Sequence, residues 1–323
     1  MVAGAALSDD LTDTQWLCEL EEIGEVEGFF SPLGDNHAAI FVDRSQDVLF
    51  VSFETLTGVR STSETGLPLG FDVCERRGWS HLTVLATKDR WFRDRHVYAF
   101  FDRMVDDAFF EDFDTVIFYG AGMCGYAAAA YSVVAPGATV FAVSPQATLA
   151  RRMTEWDDRF PGVRRLDFTS RYGFAPDMLE AASAAYIIYD PSEVEDAMHA
   201  SLFRGTNIHH TRYRRGRSGA IDADFRAMGL VSVLSERAAN GNLSPLTIAK
   251  SLRSRRRHIP YLRALLARLM QEDRHYLAAL LCRRVLADRH LPRFQSALAM
   301  AEQKLLEAGK TPPGHQANQS EPA

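Results

Sequence analysis

The sequence predicts an α/β fold: a mostly parallel, doubly wound sheet followed by an all-α C-terminal extension. Three observations carry this. From Val48 onward, short apolar runs alternate with helix-patterned segments as far as Tyr213, and strands separated by helices pair in parallel through right-handed crossovers. Beyond Ala220 the strand signal stops and only helical patterns remain. Between Asp114 and Gly137, an apolar run, a glycine-rich turn and an alanine run follow one another. Strand, turn and helix in that order build sites, because backbone amides at a helix start point at whatever lies above the turn.

The elements follow in order. Residues 13–27 carry Trp16, Leu17, Leu20 and Ile23 on one helical face, with Thr12 or Ser8 as cap and Gly28 as terminator. Residues 37–42 and 48–53 flank a polar turn and read as a hairpin-like pair, and 54–68 reads as a long polar loop. Then come helix 71–77 and strand 82–86, helix 95–110 and strand 115–119, helix 123–134 and strand 139–143. A helix over 148–159, an irregular stretch to Pro176, helix 177–183, strand 185–189, helix 193–203 and a polar run 207–213 complete the alternation. This gives six parallel strands and one leading antiparallel strand. Helical patterns cover 221–239, 244–257, 260–272, 274–289 and 292–308. The last two pair as a hairpin through Tyr276, Leu277, Leu280 and Leu281 against Phe294, Leu298 and Ala301. The expected divisions are an N-terminal helix over 1–29, a sheet domain over 30–220, a helical extension over 221–309, and a tail over 310–323 that is disordered by composition.

Composition bounds the function. The 323 residues are 46% hydrophobic and carry a net charge of −6, which argues against bulk affinity for nucleic acid. No apolar run approaches the roughly 18 residues of a membrane span, and the first ten residues lack the basic and apolar segments of a signal peptide. Cys18, Cys74, Cys124 and Cys282 stand far apart without paired spacing. Neither disulfides nor zinc are expected, and a reducing cytoplasm fits.

The glycine turn admits two readings. Gly120-x-Gly122-x-x-Gly125 after a strand is the dinucleotide fingerprint, with NADP or FAD as the cofactor it would bring. Three strands precede it, however, and the next strand ends Val143-Ser144-Pro145 without the carboxylate that holds a ribose. The other reading is a nucleophile elbow. Gly120-Ala-Gly122-Met-Cys124-Gly125-Tyr126 and the sequel Ala135-Pro136-Gly137-Ala-Thr-Val-Phe-Ala-Val-Ser144-Pro145 resemble α/β-hydrolase-fold esterases whose turn runs Gly-x-Ser-Met-Gly-Gly-Tyr. The resemblance covers residues 37–215 and implies an α/β-hydrolase-like domain with its site above Gly122. It also shows a departure, because glycine occupies the serine position.

Three residues stand as the candidate catalytic set under the resemblance. Cys124 lies in the first helical turn, where a thiol pKa falls, although a small buried core thiol is the simpler use. Asp190 matches the acid position; it would equally cap the helix after Pro191. Asp196 is the alternative acid. His210, beside His209, lies near the last strand, somewhat early for the base, and Arg217 falls where the histidine is expected. Gly120, Gly122, Met123, Gly125 and Arg217 are the candidate ligand-binding residues. Arg93 or Arg95 would line the same crevice, or simply pair with Asp89 and Asp94.

The runs Trp91-Phe-Arg-Asp-Arg95, Phe110-Glu-Asp-Phe-Asp114, Thr154-Glu-Trp-Asp-Asp-Arg-Phe160 and Asp167-Phe-Thr-Ser-Arg-Tyr-Gly173 are similar to an alphaproteobacterial family spanning nearly the whole chain. Its members often carry the label phosphoadenosine phosphosulfate reductase. The Ser-Gly-Gly-x-Asp-Ser loop and the Cys-Gly-x-His segment of true reductases are absent here. The arginine runs 212–217 and 253–257 offer phosphate or sulfonate contacts, or solvated faces. The expectation is therefore a degenerate α/β-hydrolase relative that binds a small acidic or acylated ligand without a cofactor or metal. A protein partner would dock on the C-terminal helices, and neither membrane nor nucleic acid is involved. The alternatives are a thiol hydrolase or acyltransferase using Cys124, and a dinucleotide-binding oxidoreductase.

Overall fold

The computed structural model describes residues 6–8, 10–217 and 219–314. Eight strands form one sheet: β1 (Gly28–Leu33), β2 (His37–Val42), β3 (Val48–Thr55), β4 (Ser80–Ala86), β5 (Thr115–Ala121), β6 (Thr139–Val143), β7 (Ala184–Tyr189) and β8 (Ile208–Arg212). Their spatial order is β1-β2-β4-β3-β5-β6-β7-β8. Pairing is parallel from β4 through β8, whereas β2 runs antiparallel to both β1 and β4. The inner strands β3 and β4 are almost wholly buried, as strands covered on both faces must be, and they carry Ser52, Glu54, Ser80, His81 and Thr83 among their apolar residues. The edges are blunted by sequence. Pro32 sits in β1, and β8 reads Ile-His-His-Thr-Arg.

Two sequence expectations fail at this end of the sheet. Residues 37–42 and 48–53 are not hairpin partners, because β4 lies between β2 and β3. The hairpin is β1–β2, closed at 34–36, so two strands lead rather than one. Gly28 ends helix α1 (Asp13–Glu27) as expected, but the chain turns directly into β1. Thr12 accepts from the Gln15 N–H and completes a capping box on α1.

The crossovers hold α2 (Leu56–Thr62), α3 (Leu69–Cys74), α4 (Arg95–Asp106), α5 (Met123–Tyr131), α6 (Arg151–Thr154) and α7 (Val194–Leu202). Helix α2 lies in the stretch expected to be loop. Two helices expected on pattern are largely absent: over 148–159 only α6 forms, and over 177–183 a 3-10 turn at Ala175–Leu179 replaces the helix. Pro161 opens a 3-10 turn just after the first stretch, and Pro176 lies at the start of the 3-10 turn that replaces the second. Helix α5 is buried on every side, and its alanines let it lie close on the sheet.

The chain forms two compact units. One holds the described residues through Arg214 together with 219–253; the other holds 215–217 and 254–314. The helices α8 (Ile221–Ala227), α9 (Leu230–Ala239) and α10 (Pro245–Ser251) therefore belong with the sheet, and not with the helices after them as the 220 boundary implied. Gly229, at φ +64, splits the predicted helix 221–239. The second unit is α11 (Ile259–Gln271), α12 (His275–Asp288) and α13 (Pro292–Glu307). Its hairpin forms with a different face of α12 inward. Ala278, Ala279, Cys282 and Val285 are buried, while Tyr276, Leu277 and Leu280 are exposed. The tail expected over 310–323 lies outside the described residues beyond 314. Among the described residues, no helix is long and apolar enough to cross a membrane, and no group of His, Cys, Asp and Glu is placed to hold a metal.

Candidate functional site

The bend after β5 is built by three glycines with different duties. Gly122 has φ +57 and ψ −123 and caps α5, a backbone conformation that glycine alone adopts cheaply. Its N–H donates to the Val143 carbonyl at 2.8 Å, and its own carbonyl accepts from the Tyr126 N–H at 2.9 Å. A Cβ placed on Gly122 meets no atom within 4 Å, so the place of an elbow side chain is open. A Cβ on Gly120 would stand 2.1 Å from the Cys124 carbonyl oxygen, and one on Gly125 3.0 Å from the Val143 oxygen. Those two glycines let helix and strands approach closely.

The bend leaves the fifth strand in chain order, which sits between β3 and β6, and not the first strand of a dinucleotide-binding half. The fold is α/β-hydrolase-like. Strand order, the antiparallel second strand and the position of the bend all agree on it.

A cleft of about 730 Å³ opens over the bend, at the C-terminal ends of β3, β4 and β5, where open α/β sheets place their ligands. Phe53, Val59, Trp91, Phe160 and Leu166 give it apolar walls. Met123 and Cys124 open α5 and line it too. Their amides, in the first helical turn, have no acceptor within the helix and carry the positive end of its dipole.

The polar side of the cleft is an ion network. The Arg226 guanidinium donates to Glu54 at 3.1 Å and to Asp222 at 2.9 Å, and the Tyr119 hydroxyl donates to Asp222 at 2.5 Å. Glu54, buried at the end of β3, also accepts from the Leu69 N–H at 2.9 Å and from the Ser52 hydroxyl at 3.1 Å. Burial pushes the Glu54 carboxyl above its usual range, against the pull of Arg226. Burial also works against the Arg226 charge, but Glu54 and Asp222 outweigh it and hold the guanidinium protonated.

The candidate catalytic set is not gathered in this cleft. Of Cys124, Asp190 and His210, only Cys124 lines it. Burial, followed by the Glu54 and Asp222 carboxylates, pushes the Cys124 thiol well above its ordinary value, which withholds the thiolate that a nucleophile needs. Asp190 is buried at the end of β7 and accepts from the Ser192 N–H at 2.9 Å and its hydroxyl at 2.7 Å, the local turn role. His210 pairs in register with Ile187, and its Nε2 bonds the Phe203 carbonyl at 3.0 Å. His209 lies against Tyr186. The physical reason is local: after β8 the chain returns over the cleft as α8, which brings Asp222 and Arg226 there. Arg217 groups with the second unit. Arg93 does not line the crevice; its guanidinium donates to the Asp167 and Arg171 carbonyls and to the Ser170 hydroxyl.

Glu54, Tyr119, Asp222 and Arg226 were missed by sequence reasoning. Asp222 and Arg226 stand at i,i+4 spacing, a faint signal, and Glu54 is a lone acid closing an apolar run.

A second polar knot holds the segment that roofs the cleft. His199 is fully buried; its Nδ1 accepts from the Ala147 N–H at 3.2 Å, so the Nε2–H donates to Asp157 at 2.9 Å. Both nitrogens are committed, and the ring is no free base. Arg159 joins Asp157 to Asp196, which gives the alternative acid Asp196 a structural partner. Burial raises the Asp157 carboxyl, but hydrogen bonds from Arg159 and His199 outweigh it and hold the group at about 2, below its ordinary 3.8. A depressed carboxylate stabilises the fold above its unfolded pKa and loses that contribution as pH falls. The stability advantage of the wild type over Asp157→Asn is therefore expected to be full above pH 3.8 and to shrink toward pH 2. Urea melts of the two proteins across that range measure it.

No protein-family model matches the sequence, and no curated protein does. Solved structures do align. A Glycosylation Associate Protein complex from Streptococcus agalactiae matches at 16% identity and a TM-score of 0.42 over 64% of this chain; the chain spans 45% of that one. Carboxyl esterase 2 from Tuber melanosporum matches at 16% identity and a TM-score of 0.38, over 70% of this chain and 83% of that one. An esterase from Pyrobaculum calidifontis matches at 14% identity and a TM-score of 0.40, over 74% of this chain and 96% of that one. At these scores the fold rests on the strand order and the bend described above.

Proposed function

We propose that the cleft over Gly122 binds a small carboxylate or acylated ligand and does not hydrolyse it. One observation carries this reading: the elbow position holds only hydrogen, with open space where a nucleophile would stand. The first-turn amides of α5 suit an anionic or carbonyl oxygen, and the aromatic and aliphatic walls suit its apolar body. The likeness to the alphaproteobacterial family belongs to the same reading, without the reductase label, whose motifs the chain lacks.

Hexanoate titrated into the full chain tests the binding. Saturable shifts of the Met123 and Cys124 amide resonances are expected, with hexanol at the same concentrations leaving them in place. Equal shifts with both compounds, or none with hexanoate, would overturn the reading.

A second reading, thiol acyl transfer through Cys124, has one observation in its favour: Cys124 lines the cleft. Its raised pKa opposes it. Iodoacetamide discriminates, because a reactive Cys124 would alkylate faster than exposed Cys18.

A further inference from the structure

Charge divides unevenly along this chain. Residues 254–314 hold twelve Lys and Arg against five Asp and Glu, a net charge of +7, although the whole chain carries −6. An asymmetry of this size within one chain points to a partner of opposite sign. The acids do not offset it locally, because each of the five already stands within 3.8 Å of a basic side chain. Among the described residues, Arg263, Arg289 and Arg293 form no ion pair, and all three are exposed. Ten of the twelve cations are arginines, whose planar fork matches a carboxylate and which protein interfaces favour over lysine.

The second observation is apolar. Tyr276, Leu277 and Leu280 on α12 are 48%, 42% and 43% exposed. At i, i+3 and i+4 spacing they form one patch over a single turn. Arg284 continues that face one turn further on, with 77% of its side chain exposed. Its partner Asp288 lies 3.5 Å away and is itself exposed, a pair that contributes little and yields readily to a competing carboxylate. Arg289 caps the end of α12, and Arg293 lies in the first turn of α13.

The two observations together select the occupant. A second copy docked by two-fold symmetry would set this patch against itself and bring like charges together. An interfacial membrane helix carries its apolar face along its whole length, and this patch covers one turn. A nucleic-acid strand wants stacking aromatics along a basic groove, whereas two of the three exposed side chains here are leucines. An apolar centre with an arginine rim is the anatomy of a protein interface.

We propose that the exposed face of α12 docks an acidic amphipathic helix of a partner protein, with its apolar side chains on Tyr276, Leu277 and Leu280 and its carboxylates on Arg284, Arg289 and Arg293. Recognition of this kind lays the apolar face of one helix on another surface and reads it by i, i+3 and i+4 anchors. The inference is independent of what the cleft binds.

Fluorescence anisotropy of a labelled peptide of about 20 residues, long enough to form a helix alone, tests it on the full chain. The peptide is built from Leu and Glu with leucines at i, i+3, i+4 and i+7, and its control carries Lys in place of Glu. Saturable binding of the Glu peptide is expected, without binding of the Lys peptide, and affinity should fall as ionic strength rises. Leu277→Ser combined with Leu280→Ser should weaken binding about tenfold, and Arg284→Gln combined with Arg289→Gln should do the same. These side chains are exposed, so both variants are expected to fold, which circular dichroism checks. No saturable binding of the Glu peptide, equal binding of the Lys peptide, or an affinity unchanged in both variants would overturn the proposal. So would tighter binding of oligothymidylate or of phosphatidylglycerol vesicles than of the peptide, or self-association of the chain that the leucine variant abolishes.

Discussion

Arg226→Met is expected to destabilise the sheet unit by about 3–5 kcal/mol, the cost of removing one partner from a buried ion pair. Arg226 holds Glu54 at 3.1 Å and Asp222 at 2.9 Å, and Glu54 has only 2% of its side chain exposed. Methionine fills similar volume without charge, so packing is largely kept and the two carboxylates lose their cation. In a unit of this size each kcal/mol moves the melting temperature by about 2–4 °C, so a fall of about 6–20 °C should be seen. Adding Glu54→Gln to Arg226→Met should recover a large part of the loss, because the uncompensated buried charge is then gone. A loss below about 1 kcal/mol for the single variant, in the range of an exposed pair, would mean that the network is solvated and does not organise the cleft.

The second large effect is a contrast between neighbouring glycines. Gly120→Ala places a methyl 2.1 Å from a backbone oxygen and 2.4 Å from its carbon in Cys124. Neither atom yields without moving α5, and a loss above about 4 kcal/mol is expected, in the class of severe steric strain. Gly122→Ala meets open space and bears only the penalty of its backbone conformation, φ +57 and ψ −123, about 1–3 kcal/mol. Two residues apart, the same methyl should separate an unfolded or aggregating protein from a folded one, read by thermal melts and circular dichroism. Similar losses at both positions would contradict the geometry of the bend.

Much of the sheet was legible because buried parallel strands leave apolar runs, continuous in Val116–Tyr119 and broken only by Thr83 in Leu82–Ala86. The strand Gly28–Leu33 was not legible, because Gly28 and Pro32 are helix and turn signals before they are edge-strand residues. Helix 148–159 was over-read because its pattern is satisfied locally, while the polar knot of Asp157, Arg159 and His199 takes the chain elsewhere. The bend itself was readable from Gly120, Gly122 and Gly125. Its polar surroundings were not, since Glu54 and Arg226 are 172 residues apart and nothing local announces that they meet. His210 misled because a histidine after the last strand is a positional expectation, and the register of β8 turns its ring to the Phe203 carbonyl.

The central claim is that no nucleophile operates in this cleft. Intact-mass measurement after incubation with p-nitrophenyl hexanoate tests it most directly, on the wild type and on Cys124→Ala. The account predicts no stoichiometric acyl adduct on either protein and the same ester hydrolysis rate for both. A hexanoyl adduct that forms on the wild type and disappears in Cys124→Ala would contradict it.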